Sequence, residues 1–192
     1  MALQINGVTG TFSIPRILRN YRFVAFTKTL KVRITTDGKS EEKSVDVKSK
    51  LEQAWRFVTQ RAAGHAPCNN YFKGLARKKS LKEVLDEGDI ILHCLEPKEG
   101  YSSDDLPDAN TAGRDIGIHP GLLFDNDPNS LACTLVHELA HVAGATTNPD
   151  DQDAIAAERS LKSCLCAGQF RPTSLGSNQD LQIIKPGGTR IA

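Results

Sequence analysis

Thr134-Leu135-Val136-His137-Glu138-Leu139-Ala140-His141-Val142-Ala143-Gly144 decides how this chain is read. Leu131, Leu135, Leu139 and Val142 recur at helical spacing and give a helix one apolar stripe to seat in a core. Its limits are predicted from its caps: Asp127 as N-cap, Pro128 at the first helical position and Gly144 as the stop. At about 100° per residue, His141 falls about 40° round from His137 and one turn further along, so both imidazoles leave the same face. His-Glu-x-x-His on a helix is the pattern in which two histidines bind zinc and the glutamate is general base. Glu138 lies about 60° from His141, near enough to serve a water held there but angled away from ligation. Two imidazoles and a carboxylate buried without partners would cost several kcal/mol. A metal explains their presence on a core helix.

A catalytic zinc needs a third protein ligand and a position left for water. Asn148-Pro149-Asp150-Asp151 reads as an N-cap, a first-position proline and two first-turn acids, starting a second helix that runs to about Cys166. On it Ala154, Ile155, Leu161 and Leu165 mark a buried face, with Glu158 in the middle. A carboxylate rarely occupies such a position unless paired or ligating. A short link over 145–148 would fold this helix back and aim Glu158 at the histidines. Glu158 is therefore the favoured third ligand, with Asp150, Asp151 and Asp153 as alternatives. Asp151 could instead support a ligand histidine from behind.

Outward from this core, Thr29–Thr35 alternates with period two and reads as a half-buried strand, turned by Asp37-Gly38 into a return strand carrying Val45 and Val47. A helix follows over about Lys48–Ala63, with Leu51, Trp55 and Val58 inward and Gly64 as its stop. Ser80 and Glu83 form a capping box on a short helix to Glu87. Asp89–Leu95 reads as an apolar strand, residues 96–114 as a long polar loop and Asp115–Pro120 as a strand. Residues 1–27 read as irregular or short-strand structure, and the tail from Arg171 as irregular around a short strand at Leu181–Ile184.

The chain of 192 residues suits one domain. Within it, strands and helices over 1–110 precede a zinc core over 115–166 and a tail over 171–192. The net charge of +1 offers no bulk attraction to nucleic acid or to a membrane surface. No apolar run approaches the roughly 20 residues of a membrane span. The basic run Lys73–Lys79 reads as a solvated face. Met1–Gly10 lacks a signal-peptide pattern. This leaves a protein that stays where it is made, one exported by a route reading no such signal, or a domain of something larger. Of the five cysteines, Cys133 reads as a buried free thiol, while Cys68 could bridge to Cys94 or Cys164 outside a reducing compartment.

His137–His141 resembles the zinc motif of zincin metallopeptidases. The run from the strand at Ile116–Pro120 through the zinc helix to Ala157-Glu158-x-x-Leu161-x-x-Cys164 is most similar to a small gluzincin. It also looks like the compact metallopeptidase domains of some secreted or toxin-associated bacterial proteins. A metzincin would carry a third histidine where Thr147 stands, and the Gly-Thr-x-Asp signature of aspzincins is absent. Residues 1–110 carry no family signature. The resemblance implies an α+β fold, with a small mixed or antiparallel sheet over the active helix, an edge strand binding extended peptide and a second helix giving the third ligand. It implies peptide-bond hydrolysis with Zn2+ on His137, His141 and Glu158, and Glu138 as base. The implied partner is a protein or peptide substrate, with a cognate inhibitor or immunity protein if the chain is toxin-like. His119 and Tyr101 are candidates for stabilising the oxyanion. His65 and His93 read as structural or exposed. A non-catalytic, zinc-stabilised binding module of the same architecture is the alternative, and a zincin acting on another bond is a further one.

Overall fold

Alternation of apolar and charged residues makes the hairpin of β3 (Thr29–Thr36) and β4 (Lys39–Asp46), paired from Thr29↔Asp46 to Thr36↔Lys39. Leu30, Val32 and Ile34 are buried, and Asp37 and Gly38 both take positive φ at the turn, where the left-handed backbone is needed. These details come from a computed structural model that describes residues 3–9, 20–101, 106–125, 127, 129–145, 160–166 and 179–184, with backbone only at 36 and 179–184. β8 (Gln179–Ile184) pairs antiparallel with β3, giving a three-stranded sheet in the order β4-β3-β8.

A second sheet is built on β5 (Ile90–Pro97), which is buried along most of its length, as a central strand flanked on both sides must be. β1 (Leu3–Ile5) pairs with it in parallel and β2 (Tyr21–Val24) antiparallel. β7 (Asp115–Ile118) pairs with β5 in parallel, and β6 (Ala109–Ala112) closes that side antiparallel to β7. Residues 96–114 are thus not one long loop: they hold the end of β5 and all of β6. Asp115–Ile118, expected as a strand, lies inside the sheet between β5 and β6. β6 carries no apolar alternation to announce itself; its four residues, Ala-Asn-Thr-Ala, are half-buried.

Gly117 on β7 sits where the sheet leaves no room for a side chain. A Cβ there would lie 2.9 Å from Phe23 Cδ1 and would also strike the Leu95 side chain. Both neighbours are fully buried. Gly117→Ala is expected to cost about 1–3 kcal/mol through overpacking, read as a lower urea midpoint at unchanged slope. Behind the same sheet His93, 1% exposed, is held at both ring nitrogens. Nδ1 takes a hydrogen bond from Asn6 Nδ2 (3.0 Å), and Nε2 donates to Asp115 Oδ1 (2.8 Å). It ties β5 and β7 to the residue after β1 and has a structural role.

The helices fill the other side. α1 (Val47–Arg56) is capped by Asp46, whose side chain accepts from Ser49 N. It continues as a π-helical segment, Phe57–Ala62, so the expected helix is present but changes winding within its span. Trp55 is core, 7% exposed. α2 (Ala66–Lys73) is a helix that no sequence signal marked, and α3 (Leu81–Asp86) carries the expected capping box of Ser80 and Glu83. α4 (Ser130–Val142) is buried nearly all round, more than an amphipathic stripe required. The fold is mixed α+β. Among the described residues no helix is long and apolar enough to cross a membrane.

Two disulfides bind the segment at 160–166 to this frame: Cys68–Cys164 joins it to α2, and Cys133–Cys166 joins it to α4. Cys133 is therefore no free thiol. Its apolar neighbours suit a half-cystine as well as a buried sulfhydryl, and spacing alone does not separate the two. Cys94 is a buried thiol outside both bridges. Residues 160–163 are helical, but Leu165 has φ 69° and is 41% exposed, so it does not join the expected buried face. The chain turns there so that Cys164 and Cys166 can reach different partners. The rest of the expected second helix lies outside the described residues.

Candidate metal centre

α4 starts later than its sequence caps suggested. Asn129 is the residue before it, while Asp127 accepts from Asn129 N through Oδ1 (2.9 Å) and from Ser130 N through its carbonyl (3.2 Å). Asp127 thus shapes the turn leading in rather than capping the helix. At the other end Gly144, with φ 96°, stops the helix as expected.

His137 and His141 leave one face of α4, as their spacing requires. Their rings meet edge-on with centroids 4.9 Å apart, and the two Nε2 atoms lie 3.1 Å from each other. Two imidazole nitrogens on one tetrahedral zinc, at Zn–N of about 2.0–2.1 Å, lie about 3.3 Å apart. The donor pair fits that requirement with almost no adjustment. His141 Nδ1 donates to the Ala145 carbonyl (3.0 Å), which fixes the tautomer and leaves the Nε2 lone pair turned inward. Glu138 completes the group: one ligand atom from each of the three residues lies within 4.8 Å of the others.

Glu138 is 5% exposed, and Thr111 Oγ1 donates to its Oε2 at 2.6 Å. Thr111 belongs to β6, so the edge strand lies directly over the helix and orients the carboxylate. Burial pushes the Glu138 carboxyl above its ordinary range, and Asp108 nearby adds to this. The Thr111 bond and the charge on His141 pull the other way. Burial, then the neighbouring His141, pushes His137 down to about 4.

This last shift has a testable sign. His137 titrates at 6.5 when unperturbed and at about 4 in the metal-free fold, so between these values the unfolded chain binds the extra proton. Protonating it in the fold therefore costs up to about 3 kcal/mol, a cost that is absent above pH 6.5 and grows as the pH falls towards 4. Metal-free protein should lose denaturant resistance across that window, and NMR should place the His137 imidazole titration near pH 4.

The other expected participants separate clearly. His119 is 6% exposed and accepts from Gly121 N through Nδ1 (2.9 Å), so it shapes the turn after β7. Tyr101 is 42% exposed. Tyr21 on β2 was not anticipated: its hydroxyl pKa is raised by burial and then by the Glu138 charge, which puts it in electrostatic reach of the centre. Thr111 was missed too, since a threonine in a polar stretch has no signal until β6 is known. Glu158, Asp150, Asp151 and Asp153 lie outside the described residues.

No protein-family model matches the chain, and no similar curated protein or solved structure was found.

Proposed function

We propose that this protein is a zinc-dependent metallopeptidase of zincin type, built as a small gluzincin. The observation that carries the reading is the facing of the His137 and His141 Nε2 atoms, 3.1 Å apart, beside a buried carboxylate held by Thr111. The mixed sheet supports it, since its antiparallel edge strand β6 runs over α4. His137 and His141 would hold the metal through Nε2, with Glu158 as the third ligand on the sequence reading and Asp150, Asp151 or Asp153 as alternatives.

Zinc, when bound, supplies the Lewis acidity that makes a water nucleophilic near neutral pH and polarises a carbonyl. Glu138 takes the proton of the attacking water and delivers it to the leaving amine. Its burial favours proton uptake, and the Thr111 hydroxyl orients the carboxylate through Oε2. Ala145 keeps His141 in the ligating tautomer. An extended peptide has β6 as the adjacent strand edge. The two disulfides fit a protein working in oxidising surroundings, where the substrates would be proteins or peptides.

Metal analysis of protein dialysed against trace zinc should give one zinc per chain, lost in His141→Ala. Glu158→Ala should lose most zinc affinity; retention there with loss in Asp151→Ala would move the third ligand. A wild type that binds zinc yet leaves diverse denatured proteins uncut would make the chain a zinc-stabilised binding module instead.

A further inference from the structure

We infer that Arg77 is a positioning residue for the metal centre, acting on His141 through the turn that ends α4; this rests on the metal reading above. Arg77 lies in the basic run that its sequence marks as a solvated face, and its side chain is 42% exposed. Its hydrogen bonds point inward nonetheless. The Arg77 backbone N–H donates to the Ala143 carbonyl (3.1 Å), and Nη1 donates to the Val142 carbonyl (3.2 Å). The last turn of a helix leaves carbonyls without partners inside the helix, and Arg77 supplies donors to two of them.

The same loop shapes the residues just beyond α4. A Cβ on Gly144 would lie 2.9 Å from Ala76 Cβ and 3.4 Å from Arg77 Cγ, so the stop of α4 is packed directly against this loop. The next residue, Ala145, presents the carbonyl that takes the His141 Nδ1 proton. Arg77 therefore grips residues 142 and 143, its loop seats residue 144, and residue 145 sets the tautomer of the ligand histidine. The guanidinium is itself held: Nη2 meets Glu87 Oε2 at 3.0 Å, and Glu87 also pairs with Lys79 and Arg114. A planar fork can serve Glu87 and a carbonyl together, which an ammonium does less well.

Arg77→Met keeps the stem and the backbone bond but removes the fork. Zinc titration should show affinity at least tenfold weaker than wild type, in the range for loss of support behind a ligand. In metal-free protein the His141 15N shifts should change from the Nδ1–H tautomer to a mixture of tautomers. Arg77→Lys should fall between the two proteins on both measures. Wild-type zinc affinity and an unmoved His141 tautomer in Arg77→Met, even with a lower urea midpoint, would overturn the inference and leave Arg77 a stabilising contact only. Should Arg77→Met fail to fold, Arg77→Lys decides by the same two readouts. A wild type that binds no zinc would refute the metal reading, while the tautomer measurement still tests the hold of Arg77 on His141.

Discussion

Glu138→Gln should keep its zinc and lose peptide hydrolysis by about 10²–10⁴-fold, the usual worth of a positioned general base. The substitution is close to isosteric, so the buried site is neither emptied nor overpacked. The amide oxygen can still accept from Thr111, whose hydroxyl lies 2.6 Å from the present carboxylate. What disappears is the capacity to take up a proton. His137 and His141 are untouched, so metal content should equal that of wild type. The check is paired: zinc per chain and the rate of cleavage of a denatured protein, in the same preparations. Loss of zinc together with activity would make Glu138 a ligand. Full activity without the carboxylate would remove it from the reaction.

The largest effect on stability should come from the cysteines. Cys68–Cys164 spans 96 residues and Cys133–Cys166 spans 33. Constraint of the unfolded chain by loops of those lengths is worth about 4–5 and about 3–4 kcal/mol in the chain-entropy account. Domains of this kind have only about 5–15 kcal/mol in all. Replacing all four half-cystines by serine, or adding a strong dithiol, should therefore remove most of the resistance to denaturant. Urea titrations with and without reductant measure the loss directly. Cys133 sits one turn before His137 on α4, so zinc affinity should fall with stability. An unchanged urea midpoint under reductant would show that these bridges do not hold the segment at 160–166.

Features set by local chemistry were legible in the sequence. Turn residues and period-two alternation gave the β3–β4 hairpin, a capping box gave α3, and helical spacing put His137, Glu138 and His141 within one turn of α4. Features set by distant partners were not. β6 has no apolar alternation because its meaning lies in what it covers: Thr111 becomes informative only when it reaches Glu138. Cys133 looks the same in sequence whether its sulfur is free or bonded to Cys166. Asp127 has the chemistry of an N-cap, yet the chain uses it two residues earlier in the turn. Leu165 fits a helical face, but the pull of Cys164 and Cys166 towards different helices turns it out to solvent.

The connectivity of those bridges also orders events in time. Both end on residues 164 and 166, so neither can close until that part of the chain has left the ribosome. Cys68 must wait through 96 residues of synthesis for its partner. In that interval β5 and its neighbours can pair, which withdraws Cys94 into the sheet before it can compete for the wrong sulfur. The histidine helix is tied down only afterwards. A nascent chain would thus carry the sheet built on β5 before its histidine helix is cross-linked.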